Sequence, residues 1–488
     1  MMLAKLEGGP FEKIKGLIEK AIEAGRHFQS PQTGYIHFFP HQKQGDPYHA
    51  IPLYENFLFA LALLRSKMHE NINEAKVVVT NLLHFQHPKG NFPVYLHEYP
   101  ACRDSLGGID ILAPLYWTIK HFGHVLGGDL RAKLDDSIQR LIQYGLTQHQ
   151  EYPMPYSMAA RFAAGLVAVG RLQKNEEWVA GGNLMLGQLA EEREAWCSTE
   201  YLSDLLIALQ MADINFFAEE RWQPLKDYIV NTWNQDVCAF VGPGVRELQL
   251  KQEPKPNLYD LFMGTFFGTF AHRCEALDIY HLQAALIQPI DPVQLKPADS
   301  TEGTYKGQKW VSFSSMALLE KRVSQVSLEN TYSPLKIVWG DSKFAHTFVC
   351  QGCKCSTIEY QVKENGCELF LDLDREIDLQ DKEKQREINF YFDFHPDYEI
   401  HVDGFTATTF EFGQAVTLEL GDHKISLNFE VVDGSGQFLG HISHGNRPSQ
   451  ALHNGDLRFE AYDWNLFVRT IRRDPRVRIK VAVWVTTR

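Results

Sequence analysis

Histidines, tyrosines and carboxylates crowd two short stretches near the start of the chain. The first runs from Tyr35 to Asn56 and holds His37, His41, Asp46, Tyr48, His49, Tyr54, Glu55 and Asn56. The second holds Tyr95, His97, Glu98, Tyr99, Arg103, Asp104 and Asp110. Side chains of these types suit a sugar. Aromatic faces stack on pyranose rings, and carboxylates accept hydrogen bonds from hydroxyls. Abstraction of a proton next to a uronic carboxylate needs a base such as His97, Tyr99 or Tyr54. It also needs a group that neutralises the carboxylate, for which Asn56 and Arg103 are candidates. His37, His41, Tyr48, His49, Glu55, Asp104, Tyr156, Arg161 and Tyr259 are candidates for holding the substrate. Hydrolysis would instead use two carboxylates roughly 5–9 Å apart. Glu55, Asp104, Asp110, Glu200, Asp204 and Asp260 fall near the starts of apolar helical segments, where carboxylates also cap helices.

The two stretches belong to a repeat. Residues 27–31 read His-Phe-Gln-Ser-Pro and residues 84–88 read His-Phe-Gln-His-Pro, 57 positions apart. A glycine follows each, Gly34 and Gly90, and apolar helical patterns fill the interval. A repeat of this length reads as a helical hairpin stacked on copies of itself, because one hairpin cannot bury its own apolar face. Pro52–Leu64 is apolar nearly all round, as are Gly108–Phe122, Tyr156–Leu172, Thr199–Ala212 and Asn257–Ala271. Amphipathic segments alternate with them: Phe11–His27, Asn73–His84, Leu130–Tyr144, Glu176–Glu192 and Glu219–Trp233. That alternation predicts an inner ring of helices wrapped by an outer ring, an (α/α)5-6 toroid when Cys274–Ile287 is counted as a last helix.

The pattern changes after residue 290. Residues 1–290 read as the toroid, 291–309 as a proline-marked linker, and 310–488 as an antiparallel β-sandwich. Short β-branched runs carry that sandwich: Lys336–Trp339, Thr357–Val362, Leu369–Leu373, Ile388–Phe394, Val416–Leu420, Ile425–Val431, Phe467–Ile471 and Ile479–Val485. The charged run Asp378–Glu387 reads as a solvated loop. Gly440–Pro448 gathers His441, His444 and Arg447 in a turn-rich stretch that could complete a cleft from this half.

A helical toroid followed by an antiparallel β-sandwich resembles the polysaccharide lyases of the chondroitinase, hyaluronate lyase and heparinase II/III type. The resemblance is architectural and spans nearly the whole chain. It implies a lyase that cleaves uronic-acid-containing poly- or oligosaccharides by β-elimination, with an anionic carbohydrate as partner. Two other readings stay open: a glycoside hydrolase, and a non-catalytic carbohydrate-binding or scaffold protein of the same architecture.

Composition narrows the rest. A net charge of −13 disfavours nucleic acid as the main partner. No run reaches about 18 uninterrupted apolar residues, so no membrane span is expected. The start of the chain carries no apolar signal-like run, and eight scattered cysteines in a chain of 488 residues suit reduced thiols and a cytoplasmic location. Cys350, Cys353 and Cys355 have partial zinc spacing but no second Cys-x-x-Cys, leaving thiols or a structural zinc. No phosphate-binding or dinucleotide-binding glycine motif occurs, and no cofactor is expected.

Overall fold

The structure, a computed structural model, describes residues 10–38, 50–234, 239–240, 258–267, 277–289, 300–305, 308–315, 323–328, 335–340, 345–350, 355–363, 366–374, 376, 380–382, 384–393, 399–420, 423–448 and 462–487. The chain forms two compact units. One comprises Met1–Leu225, Asn257–Phe270 and Ala276–Val293, the other Lys226–Pro256, Ala271–Glu275 and Gln294–Arg488.

The first unit is helical. Its outer helices are α1 (Pro10–Phe28), α3 (His69–Leu83), α5 (Gly128–Glu151) and α7 (Glu176–Leu189), and the boundary between the two units falls within α9 (Gln223–Thr232). Its inner helices are α2 (Leu53–Arg65), α4 (Leu112–Phe122), α6 (Tyr156–Gln173), α8 (Thr199–Met211) and α10 (Leu258–Phe267). The apolar inner segments are buried on every side. In α2 the run Phe57–Leu64 is at most 2 % exposed. Each such Leu or Phe contributes about 1.5–3 kcal/mol on leaving water, so these helices cannot stand apart. They pack in sequence order, α2 on α4, α4 on α6, α6 on α8 and α8 on α10. The ring closes through a 3-10 helix, Ile279–Leu286, which touches α10 on one side and α1 and α2 on the other. The last element expected from the sequence is therefore a 3-10 helix, started by Asp278, whose carboxylate accepts from the Tyr280 amide.

The sequence repeat has a structural cause. Gln29 donates from its amide to the carbonyl of Gly34 at 2.9 Å, and Gln86 does the same to Gly90 at 2.8 Å. Each glutamine thus ties off the turn after an outer helix. Gly34 and Gly90 sit at φ +75° and +106°, the left-handed region that glycine enters without cost.

Among the described residues the second unit holds two large antiparallel sheets and a two-stranded one. Its strands are β1 (Trp233–Asn234), β2 (Ala239–Phe240), β3 (Ser300–Tyr305), β4 (Gln308–Ser315), β5 (Val323–Leu328), β6 (Leu335–Gly340), β7 (Ala345–Cys350), β8 (Thr357–Lys363), β9 (Gly366–Leu373), β10 (Arg386–Asp393), β11 (Ile400–Val402), β12 (Phe405–Thr406), β13 (Thr409–Glu411), β14 (Ala415–Leu420), β15 (His423–Asp433), β16 (Gly436–Pro448), β17 (Tyr462–Arg473) and β18 (Val477–Thr487). β1 and β2 pair with each other. Among the described residues one large sheet has the order β13-β16-β17-β10-β7-β6-β5-β4-β3 and the other β12-β11-β14-β15-β18-β9-β8. Their inner faces share one core, in which Phe429 of the second sheet stacks on Phe410 of the first at 5.2 Å. The helices are thus N-terminal and the sandwich C-terminal.

Two local readings change. Strand β3 lies inside the stretch that its prolines mark as a linker, because Ser300–Tyr305 pairs with Gln308–Phe313. Glu387, at the end of the run read as a solvated loop, is 4 % exposed. A register irregularity between Arg386 and Ile388 accompanies this placement. Its carboxylate accepts from Arg473 Nε at 2.9 Å and Nη2 at 2.8 Å, and from the Thr470 hydroxyl at 2.5 Å. Cys350, Cys355 and Cys367 are buried in the sandwich core, and Cys353 lies outside the described residues. Among the described residues no group of three or more His, Cys, Asp or Glu side chains could hold a metal ion.

Candidate functional site

The N-terminal ends of four successive inner helices meet around one arginine. Arg161, in the second turn of α6, reaches Asp110 with Nη1 at 2.6 Å. It reaches Asp204 Oδ1 on α8 with Nη2 at 2.5 Å and with Nε at 3.0 Å. The guanidinium carbon stands 5.5 Å from the centre of the Tyr54 ring on α2. Asp110 belongs to the 3-10 helix Gly107–Ile111 that leads into α4. One side chain therefore links four elements of the ring. The Arg161 and Asp204 side chains are 14 % and 3 % exposed, so the pairing is largely shielded from water.

Glu55 follows Tyr54 and lies in the same recess. Burial pushes its carboxyl up to about 7, with the Asp110 charge adding to the rise and Arg161 opposing it. Burial raises Asp110 as well, and the attraction of Arg161 offsets part of that rise. Tyr54 is pushed well above the usual phenol range by burial. The recess thus holds a carboxyl that gives up or takes a proton near neutral pH.

The second repeat delivers two more groups to this place. Leu53 N donates to Val94 O at 3.0 Å and Leu96 N to Ile51 O at 2.9 Å. This bridge fixes Tyr95 beside the start of α2. Burial raises the Tyr95 hydroxyl, and the charges of Glu55 and Glu98 raise it further. The His97 ring stacks on Tyr95 at 5.8 Å, with 15° between the planes, and the His97 residue is exposed. The Glu55 charge thus acts on both Tyr54 and Tyr95, and His97 stacks on Tyr95.

Other residues singled out from the sequence have structural work. Asn56 is fully buried. Its Oδ1 accepts from Ile36 N at 2.8 Å, and its Nδ2 donates to Ile36 O at 3.2 Å and Pro52 O at 2.7 Å. It anchors the first repeat loop to α2 and has no amide atom left for a substrate carboxylate. Arg161 is likewise engaged by two aspartates, and Asp110 and Asp204 are its counter-ions rather than a facing hydrolytic pair. Asp104 Oδ1 caps the 3-10 helix by accepting from Leu106 N at 2.8 Å and Gly107 N at 3.0 Å. Tyr99 packs edge-on against Phe85 at 5.7 Å and is 39 % exposed, and Arg103 is exposed. Tyr156 and Tyr259 are buried; the Tyr156 hydroxyl donates to Leu189 O at 3.4 Å and its ring stacks on Tyr201 at 5.4 Å. His37 approaches Thr33 Oγ1 at 2.8 Å. His41, Tyr48 and His49 lie outside the described residues.

In the sandwich unit, His441 stacks on Phe467 at 5.1 Å and His444 lies against Trp464 at 4.1 Å, both on β16. Arg447 is also on β16. These residues form a strand, not the turn that their glycines suggest.

No family model matches this chain. No curated protein matches it either. Solved structures do. Heparinase III aligns over 100 % of this chain and 87 % of its own, with 9 % identity and a TM-score of 0.45. The chondroitin AC lyase of Streptomyces coelicolor, in complex with chondroitin sulphate, aligns over 98 % and 80 %, with 9 % identity and a TM-score of 0.48. A heparan sulfate lyase from Pedobacter heparinus aligns over 97 % and 83 %, with 10 % identity and a TM-score of 0.36. The chain resembles these polysaccharide lyases in architecture. The likeness concerns the order and kind of the elements, and says nothing of which residues act. Among the described residues no helix is long and apolar enough to cross a membrane.

Proposed function

We propose that this protein processes an anionic carbohydrate, cleaving uronic-acid-containing poly- or oligosaccharides by β-elimination in the recess of Glu55, Tyr95 and His97. The observation that carries the reading is the Glu55 carboxyl, raised to about 7, whose charge acts on Tyr95, the ring on which His97 stacks. A carboxylic acid that keeps its proton near neutral pH can donate it in a hydrogen bond to a uronate carboxylate. That bond withdraws charge and acidifies the adjacent C–H, the task that Asn56 and Arg161 are not free to perform. His97, exposed at the rim, takes the carbon-bound proton. The electron pair left behind forms the carbon–carbon double bond and expels the glycosidic oxygen. Tyr95, whose raised hydroxyl holds its proton, supplies that oxygen with one. Arg161 holds Asp110 and lies against Tyr54, and does not itself meet the sugar.

The test is a panel of uronate-containing oligosaccharides, read at once for ultraviolet absorbance and for new reducing ends. Elimination raises both. Tyr95→Phe and His97→Ala should each abolish the absorbance while the circular dichroism is unchanged. Glu55→Gln should retain part of the rate and lose the fall in activity above about pH 7. Survival of full activity in both Tyr95→Phe and His97→Ala would overturn the assignment. A second reading, hydrolysis with Glu55 as acid, draws on the coupling between Glu55 and Asp110. It predicts reducing ends without absorbance and no activity in Glu55→Gln.

A further inference from the structure

The 3-10 helix Ile279–Leu286, which closes the ring, packs on α1, α2, α4 and α10. Its far end is fastened from two inner helices. Arg65, the last residue of α2, donates from Nη1 to Ala285 O at 2.5 Å and to Ile287 O at 2.7 Å. Gln210 on α8 accepts from Gln288 N at 3.2 Å. The near end is fastened by a histidine. His281 is 4 % exposed and forms a capping box with Asp278. Its Nδ1 stands 3.1 Å from the Asp278 amide nitrogen and 2.9 Å from the Asp278 carbonyl oxygen. Its Nε2 stands 3.0 Å from the Tyr280 hydroxyl, and the two rings stack at 4.2 Å.

Nδ1 can serve one Asp278 group or the other, but not both. Without a proton it accepts from the amide and completes the box; with one it donates to the carbonyl, and the box loses that bond. The reciprocal residue of a capping box is ordinarily Glu or Gln, which changes no charge near neutral pH. A histidine there makes the cap depend on a proton. Burial outweighs the other influences and holds the ring below the usual histidine range. The Asp278 carbonyl and carboxylate favour the charged ring, as does Glu23 on α1, while Lys20 on α1 opposes it. Of the other elements packed on the segment, α2 and α4 bring Arg65, Lys120 and His121 to its far end. The titratable groups of α10 are Tyr259 and Asp260, in its first turn. A ring that binds its proton more weakly in the closed segment than in an open one makes acid favour the open one.

We infer that His281 makes the closing segment an acid-sensitive latch: the 3-10 helix holds the ring shut while the imidazole is neutral, and its first turn releases when the imidazole takes a second proton. The latch is fully fastened above the ordinary histidine value of 6.5 and weakens as pH falls below it. The inference concerns the ring and does not depend on the elimination chemistry.

The test is hydrogen exchange of the full chain, read by mass spectrometry at pH 7.5 and 5.5 and corrected for the intrinsic pH dependence of exchange. Peptides from 279–288 should lose protection in acid by up to about tenfold per pH unit, the slope of a one-proton equilibrium. Peptides from the core of α6, Phe162–Gly170, should not. His281→Gln, which can still accept from the Asp278 amide and does not titrate, should protect the segment alike at both pH values. Lys20→Gln removes a charge that resists protonation of the ring, and should lose less protection than the parent. Equal protection of 279–288 at the two pH values overturns the inference. So does an equal loss in α6, which is general acid unfolding. So does a His281→Gln protein that loosens in acid as the parent does or, should that variant fail to fold, a Lys20→Gln protein that does.

Discussion

Replacing Glu55 by glutamine should make the protein more stable at neutral and alkaline pH. The carboxyl has an ordinary value of 4.5 and is raised to about 7 in the folded chain. An acid whose folded value is raised favours the native state while protonated. Its contribution is fully present below about 4.5 and is lost as pH climbs to about 7. Each pH unit in that window is worth about 1.4 kcal/mol, so the whole cost is about 3 kcal/mol. Glutamine keeps the shape and never ionises, and it therefore escapes the loss. The assay is urea unfolding of both proteins at steps from pH 4.5 to 8.5. Near pH 4.5 the two should unfold at nearly the same urea concentration. By pH 8 the variant should be more stable by about 3 kcal/mol, with the divergence centred between these limits. Parallel curves, or a variant weaker at pH 8, would refute the argument that burial and Asp110 hold Glu55 protonated. The same substitution impairs the proposed chemistry, so stability and activity should move in opposite directions, as expected where a site holds strained electrostatics.

Arg161→Met should destabilise the helical unit by about 3 kcal/mol, at the lower end for a broken buried pair because the Asp110 side chain is 24 % exposed. That loss should shrink in acid, as protonation of Asp110 and Asp204 relieves the uncompensated charge, and a pH series of urea curves checks it. The two repeat glycines should differ. Gly34→Ala, with φ +75° and open space, should cost about 1–2 kcal/mol for the backbone alone. Gly90→Ala would set a methyl 2.3 Å from Arg140 O, adding about 1–3 kcal/mol of overpacking, measurable in the same experiment.

The ring of hairpins is legible in the sequence because it rests on periodicity. The alternation of fully apolar and amphipathic segments has a single economical solution, and Gln29 and Gln86 repeat because they close equivalent turns. The recess is legible only in part. Tyr54, Glu55, Tyr95 and His97 stand out by type, and the loops that hold them follow the repeat. What the sequence does not carry is direction. Nothing at position 56 distinguishes an asparagine turned to the backbone from one turned to a ligand. The partners of Arg161 come from separate helices, Asp204 lying 43 residues away. Glu387 looks solvated among its charged neighbours, and only the irregular pairing of its strand and the distant Arg473 account for its burial.

The closing of the helical ring has a kinetic consequence. Arg65 meets Ala285, 220 residues further along the chain. Until the segment 279–287 has been synthesised, one flank of α2 has nothing to cover it. That helix is apolar on nearly every side, so the nascent chain carries an adhesive surface for most of its synthesis, and the final latch requires a long loop to close. The protein should therefore acquire its helices early and its ring late, and while the ring is open it should be a client for whatever holds unfinished chains apart.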